Sequence, residues 1–212
     1  MYENYEEKIG SGKFYKDMVG ANNLYYSTGK FAGIEAGVGN DCIQNNSSFL
    51  YANGGDGNDI YTTSLNRVTH VFDSSGKDIV KFSESKNDIN FLFQVKIDNE
   101  GNIVNDSDYD GLFVINNASF RTFKNTKNLD LIKNYLDCQG YFDTDDNIEV
   151  FQAKDGYLTR NDLNTLRQNV ATWLEDNGYH SSLEAMMDVD NITAAEELLA
   201  IYQNLEWNSF QV

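Results

Sequence analysis

Along the first third of the chain, apolar residues come in ones and twos between clusters of Gly, Asn and Ser, as at Leu24-Tyr25, Ile34, Ile43, Ala52 and Ile60-Tyr61. Runs this short, punctuated so often, predict short strands joined by tight turns. Val71-Phe72 and Ile79-Val80 flank a turn at Asp73–Asp78. Ile89, Phe91, Phe93, Val95 and Ile97 alternate with mostly polar neighbours, the pattern of a half-buried strand. A turn at Asp98–Asn102 precedes Ile103-Val104, and Leu112–Ile115 reads as a further strand. Leu129–Tyr135 is a short helix or strand that periodicity does not settle. Ile148–Phe151 and Tyr157-Leu158 flank Asp155-Gly156, which predicts a hairpin with a type I′ turn. From Thr159 the period turns helical: Leu163, Leu166, Val170, Trp173 and Leu174 share a face, and Gly178 stops it. Ser181 with Glu184 and Thr193 with Glu196 have capping-box spacing, and the last helix aligns Leu198, Tyr202 and Leu205.

These elements predict a mainly β protein: a parallel β-roll, or solenoid, over residues 1–82, a β-rich cap over 83–160 and a small helical tail over 161–212. The turns of the roll carry its candidate chemistry. Gly54-Gly55-Asp56-Gly57-Asn58-Asp59-Ile60-Tyr61 fits the nonapeptide G-G-x-G-x-D-x-U-x of calcium-binding β-helical repeats. Its glycines accept left-handed backbone and leave carbonyls uncovered. Its aspartate adds a carboxylate, and calcium takes six to eight oxygen ligands. Gly37-Val38-Gly39-Asn40-Asp41-Cys42-Ile43 repeats the pattern with Ala36 in place of the first glycine. Asp41 and Asp59 stand two nonapeptides apart, and one such step further back lies Asn23, an amide in place of the carboxylate.

With three marks on one ruler, the stretch resembles the repeats-in-toxin (RTX) family of calcium-dependent parallel β-rolls. Ile132–Tyr135, Ile148–Phe151 and Lys154-Asp155-Gly156 are similar to the haemolysin-type calcium-binding related segment that often follows such rolls, here interrupted by Asp143–Asp146. The resemblance implies stacked turns in which Asp41 and Asp59, with the carbonyls of Gly37, Gly39, Gly55 and Gly57, converge on Ca²⁺, with Asn23 and Asp56 beside them. Asp106-Ser107-Asp108-Tyr109-Asp110-Gly111 matches the first half of a D-x-D-x-D-G calcium loop. Its twelfth position is Asn117, so it is no EF-hand. It is either a calcium-binding turn through Asp106, Asp108 and Asp110 or a solvated acidic hairpin loop.

Composition narrows the function. The net charge is −17, from 33 acidic and 16 basic residues. That argues for cations as partners and against nucleic acid, whose stacking surfaces interleave aromatics with bases. Proline is absent, which suits hydrogen-bonded strands. Cys42 and Cys138 form no metal-binding spacing and are expected unpaired. His70 and His180 sit in no nucleophile or zinc frame, so an enzyme is not expected. Residues 1–7 lack a signal-peptide core, and no run reaches membrane-spanning length. The reading is a calcium-binding module that folds on calcium outside the cell, exported by a type I apparatus that reads the C-terminal tail. The alternatives are an extracellular module binding cell-surface glycan or protein on a β-roll scaffold, and a metal-free structural solenoid.

Overall fold

A computed structural model describes residues 6–16, 20–105, 111–138, 140–142, 148–188 and 190–210. The expected Asp106, Asp108 and Asp110 site lies outside the described residues. In chain order the strands are β1 (Glu6–Ile9), β2 (Lys13–Lys16), β3 (Leu24–Glu35), β4 (Cys42–Asn53), β5 (Ile60–Thr63), β6 (Val68–Phe72), β7 (Asp78–Phe82), β8 (Ile89–Phe93), β9 (Leu112–Asn116), β10 (Tyr135–Cys138), β11 (Ile148–Ala153) and β12 (Gly156–Thr159). The helices are α1 (Asn117–Thr126), α2 (Arg160–Asn177), α3 (Ser182–Met187) and α4 (Ile192–Gln203).

As expected, the protein is mainly β and built on a parallel β-solenoid of about four turns. The chain winds so that residue i pairs with i + 18: Tyr25 lies beside Ile43, and Ile43 beside Tyr61. Eighteen residues therefore make one coil with two walls. The first wall runs β1, β3, β4, β5, β7 and β11, and the second runs β2, β3, β4, β6 and β10. β3 and β4 bend to serve both walls. Tyr25, Ile43, Tyr61, Val80 and Phe151 point inward in register on the first wall, and Ile34, Ala52, Val71 and Cys138 on the second. Each coil alone would leave this row wet, so burial against the neighbouring coil holds the stack together.

Asp78 follows Asp59 by nineteen residues, not eighteen, and the extra residue is not in the Gly-rich turn. β4 pairs β5 with Cys42 beside Ile60, but pairs β6 with Phe49 beside Val68. The insertion thus falls at the opposite corner, Ser64–Arg67, where Leu65 is buried and Glu84 accepts hydrogen bonds from Ser64 Oγ (2.7 Å) and Leu65 N (3.0 Å).

The segment after residue 82 extends and closes the solenoid. β10 and β11 continue the two walls in parallel, β9 and β8 add to β10 antiparallel, and β12 closes a hairpin on β11. β8 is buried along its whole length: Asn90, on the face that alternation left for solvent, hydrogen-bonds Asn117 of α1 (2.9 Å), and Tyr202 of α4 packs on Phe93 on the other face. The hairpin forms, but its loop is Lys154-Asp155, and neither residue has the positive φ that a type I′ turn requires. Tertiary anchors set it instead: Lys154 N donates to Glu84 O (3.0 Å) and Lys86 N to Asp155 Oδ1 (2.7 Å). Leu129–Leu131 is a single 3₁₀ turn, and α1 was not anticipated from its polar sequence.

The helical tail is docked, not frayed. α2 starts at a Thr159/Asp162 capping box and stops at Gly178, while α4 is capped by Asn191, not Thr193. Leu198, Leu199 and Tyr202 of α4 are buried, and the Tyr202 hydroxyl donates to Phe93 O (2.6 Å). Beyond α4, Trp207 packs on Phe91 and Phe210 stacks on Tyr157, while Asn208 bridges to the Tyr157 backbone (2.9 and 3.0 Å). These contacts seat Trp207 against the core, while Phe210 stays 43% exposed beside Tyr157. Val212 lies outside the described residues.

The close stacking of turns gives a direct test. Gly57 has φ +136°, and a Cβ there would sit 1.7 Å from Gly39 O, whereas a Cβ at Gly10 meets nothing within 4 Å. Gly57→Ala is expected to cost more than about 2 kcal/mol, because the coils must separate or the turn must refold. Gly10→Ala should stay within about 0.5 kcal/mol. Urea denaturation of the two variants checks the difference.

Candidate metal centre

The Gly-rich turns stack into one edge of the solenoid, at 20–23, 37–41, 55–59 and 74–78. Two ladders of side chains run along this edge in opposite senses. On the outside, Asn22 Oδ1 accepts Asn40 N (2.7 Å), Asn40 Oδ1 accepts Asn58 N (2.7 Å), and Asn58 Oδ1 accepts Lys77 N (2.9 Å). On the inside, Asp41 Oδ1 accepts Asn23 N, Asp59 Oδ1 accepts Asp41 N and Asp78 Oδ1 accepts Asp59 N, each at 2.7 Å. Glu149 of β11 ends this inner ladder by accepting Asp78 N (2.6 Å). The Asn-Asp pair in each turn therefore satisfies one backbone donor in the coil after it and one in the coil before. The need is strict, since Asp41, Asp59 and Asp78 are fully buried, where an unpaired N–H costs about as much as a lost hydrogen bond.

The expected ligands sort as follows. Asp41 and Asp59 lie on adjacent coils in one ladder, with Asn23 at its head. The carbonyls of Gly37 and Gly55 accept Asp56 N (2.8 Å) and Ser75 N (3.3 Å), and those of Gly39 and Gly57 press against the next glycine of the stack. Asp56 is exposed, and its Oδ1 accepts Ser75 Oγ at 3.0 Å. Besides its hydrogen bond from Asp41 N, Asp59 meets two further carboxylates, Asp73 and Asp78. One oxygen from each of the three carboxylates lies within 4.8 Å of the other two.

Asp73 went unread because it stands where the repeat has its first glycine. Wall register aligns Ala36, Gly54 and Asp73 at one position, so Asp73–Asp78 takes the place of Gly54–Asp59, keeping Gly76 and Asp78 but with Ser74 for Gly55, Lys77 for Asn58 and a carboxylate at its start. The signal was present in the nineteen-residue offset, which shifts both ends of the motif equally. Tyr61, buried on the adjacent strand, donates its hydroxyl to Asp73 Oδ2 and accepts Gly54 N (2.6 Å).

Three carboxylates around one buried point are electrostatically unfavourable as anions. Desolvation is the largest cause raising each of them, with neighbouring carboxylates adding to it: Asp59 to about 6, Asp73 to about 7 and Asp78 to about 8. Backbone donors pull Asp59 and Asp78 the other way but do not offset burial. The second oxygens, Asp59 Oδ2 and Asp78 Oδ2, are buried and have no hydrogen-bond partner. Such atoms call for a proton or a cation. The donor set is all oxygen, with no imidazole or thiol, which suits a hard divalent ion.

Comparison with protein-family models, with curated proteins and with solved structures finds no match. The reading of this centre therefore rests on its own geometry.

Elsewhere, the outer face of the second wall carries aromatic rows. Phe31 stacks on Phe49 (5.2 Å between centroids), Phe49 contacts His70 and His70 meets Tyr135 edge-on. His70 Nδ1 lies 2.9 Å from Asp137 Oδ2. Cys42 and Cys138 are free thiols, the second fully buried.

The raised carboxylates fix the sign of a pH effect. Unfolded aspartates titrate near about 3.9, so between about 4 and 8 the folded, ion-free centre holds more protons than the unfolded chain. Stability then falls as pH rises. Without divalent ions, the urea midpoint is expected to decline from pH 5 to pH 8, the window of these three groups. Asp73→Asn with Asp78→Asn should flatten that slope.

Proposed function

We propose that this chain is a calcium-binding structural module of the repeats-in-toxin kind, whose solenoid is locked by one ion at Asp59, Asp73 and Asp78. The observation that carries the proposal is the pair of partnerless buried oxygens, Asp59 Oδ2 and Asp78 Oδ2, beside a third carboxylate. The three side chains come from two successive turns, so an ion there would tie coil to coil. Asp59 and Asp78 are already fixed by the ladder through Oδ1, which leaves Oδ2 oriented for a ligand. Tyr61 holds Asp73 in place. The ion supplies the positive charge that lets all three remain ionised.

This function is coupled folding. The centre does not exist in the unfolded chain, so binding energy adds to folding energy, and the protein is firmest where calcium is abundant. Secretion belongs to the same proposal: the chain stays loose where calcium is scarce and closes outside the cell. The tail then serves as a cap as well as an export signal, so any test of export must leave α4 seated against Phe93.

Binding confined to the folded state stabilises by about 2.7 kcal/mol at a hundredfold excess over the dissociation constant. Calcium should raise the melting temperature at pH 7.5 and a chelator should lower it, followed by circular dichroism. Asp59→Asn keeps the acceptor for Asp41 N but removes a charge. It should stabilise the chelated protein at pH 8 and abolish the gain from calcium. Asp59→Ala also loses the acceptor, so it should destabilise with and without the ion. A calcium-induced rise that survives in Asp59→Asn would place the ion elsewhere, and no rise in the parent protein would end the proposal.

A further inference from the structure

Far from the carboxylate centre, the cap holds a half-open cavity of about 270 Å³. Leu92, Phe93, Phe113 and Phe123 form its floor, and Leu183 and Met186 of α3 its rim. Leu92, Phe93 and Phe123 are buried, whereas Leu183 remains 46% exposed. Apolar surface thus runs from the core out to solvent without a break. A dry cavity of about 150 Å³ accepts a benzene ring, so this one has room for roughly ten carbons.

The segment that supplies Phe113, Phe123 and Lys127–Asp130 of the lining has an unusual charge for this protein. Against a net charge of −17, residues 111–138 carry four cations, Arg121, Lys124, Lys127 and Lys133, and two acids, Asp130 and Asp137. Of the cations, Lys127 lines the cavity itself, and Asp130 is the acidic residue on the same rim. Lys127 closes α1 with φ +52°, the only non-glycine residue with positive φ among the described residues. Its ammonium bonds Lys124 O at 2.9 Å. The remaining polar lining is largely engaged: Ser182 Oγ accepts Val95 N (2.9 Å) and Asn128 Oδ1 accepts Asp130 N (2.8 Å).

We infer that this cavity binds a single-chain anionic amphiphile of about ten carbons, with the chain on Phe93, Phe113 and Phe123 and the head group at Lys127. Size sets the chain length, and Lys127, the one cation in the lining, on a segment with four cations to two acids, sets the sign of the head. Partial burial, and then the charge of Lys124, lower the Lys127 pKa, and the Glu196 carboxylate nearby does not offset them. The site is independent of calcium, being built from α1, α3 and β8, not from the turns.

The test is calorimetric titration of the calcium-loaded full chain with decyl sulfate below its critical micelle concentration, and with decyltrimethylammonium as the opposite-sign control. The expected result is saturable one-to-one binding of decyl sulfate, about tenfold tighter than the cation, a difference of about 1.4 kcal/mol. Lys127→Asn tolerates the left-handed backbone and should bring the two affinities within about threefold. Met186→Trp should fill the cavity and weaken decyl sulfate at least tenfold. Should that variant melt early, Leu183→Trp on the exposed rim makes the same obstruction outside the core. Absence of saturable binding, many bound molecules per chain, equal affinity for both head groups, or binding untouched by either tryptophan would each overturn the assignment.

Discussion

The solenoid depends on how it satisfies the backbone at its tightest edge. A turn that reverses the chain in a few residues cannot pair all its own N–H groups, and stacking a second turn on top excludes water from them. Here Asn40 and Asn58 accept from the coil that follows, and Asp41, Asp59 and Asp78 accept from the coil that precedes. The glycines are required by the same packing, since their neighbours' carbonyls lie where a side chain would begin. Remove the ladder and buried donors are orphaned at every step. Remove the glycines and the steps cannot close.

The price of that solution is charge in the interior. A carboxylate is a strong acceptor, but only one of its two oxygens is used by the ladder at Asp59 and Asp78. While a single such group per coil is tolerable, the copy of the motif at Asp73–Asp78 adds Asp73 at a glycine position and so concentrates three carboxylates at one level. Burial then works against ionisation, and the carboxylates bind protons more readily than their free counterparts. The same surplus of oxygen gives this level of the stack a set of ligand atoms that could hold a metal ion. The centre sits at the last Gly-containing turn, next to where Glu149 ends the ladder.

Beyond the repeats the problem changes from stacking to closure. β10 and β11 prolong the walls, but the open end needs an apolar lid, and α2 and α4 supply it. The closing contacts are long-range: Tyr202 reaches the backbone of β8, and Trp207 and Phe210 fold back on Phe91 and Tyr157. α1 and α3 leave the cavity between them because neither is long enough to fill the corner beside β8 and β9.

The sequence by itself determined the class of fold and the period. Gly-x-Gly-Asn-Asp at an eighteen-residue spacing admits few structures other than a stacked parallel coil, and the alternation around Ile43 and Tyr61 says which side faces in. The α2 helix was equally legible, because its face, its stop at Gly178 and its start at Thr159 are local signals. Tertiary structure decided what local signals do not carry. β8 became buried on both faces because α1 and the distant α4 pack around it, and the hairpin at Lys154-Asp155 took its shape from Glu84 and Lys86. The partners of Asp59 were decided the same way. The extra residue sits at the opposite corner, so the degenerate turn after it is offset as a whole, and only the stacking of the walls shows that Asp73 shares a level with Gly54 and reaches Asp59. Spacing along a chain fixes which residues recur, whereas the convergence of carboxylates on one point is a property of the space between coils.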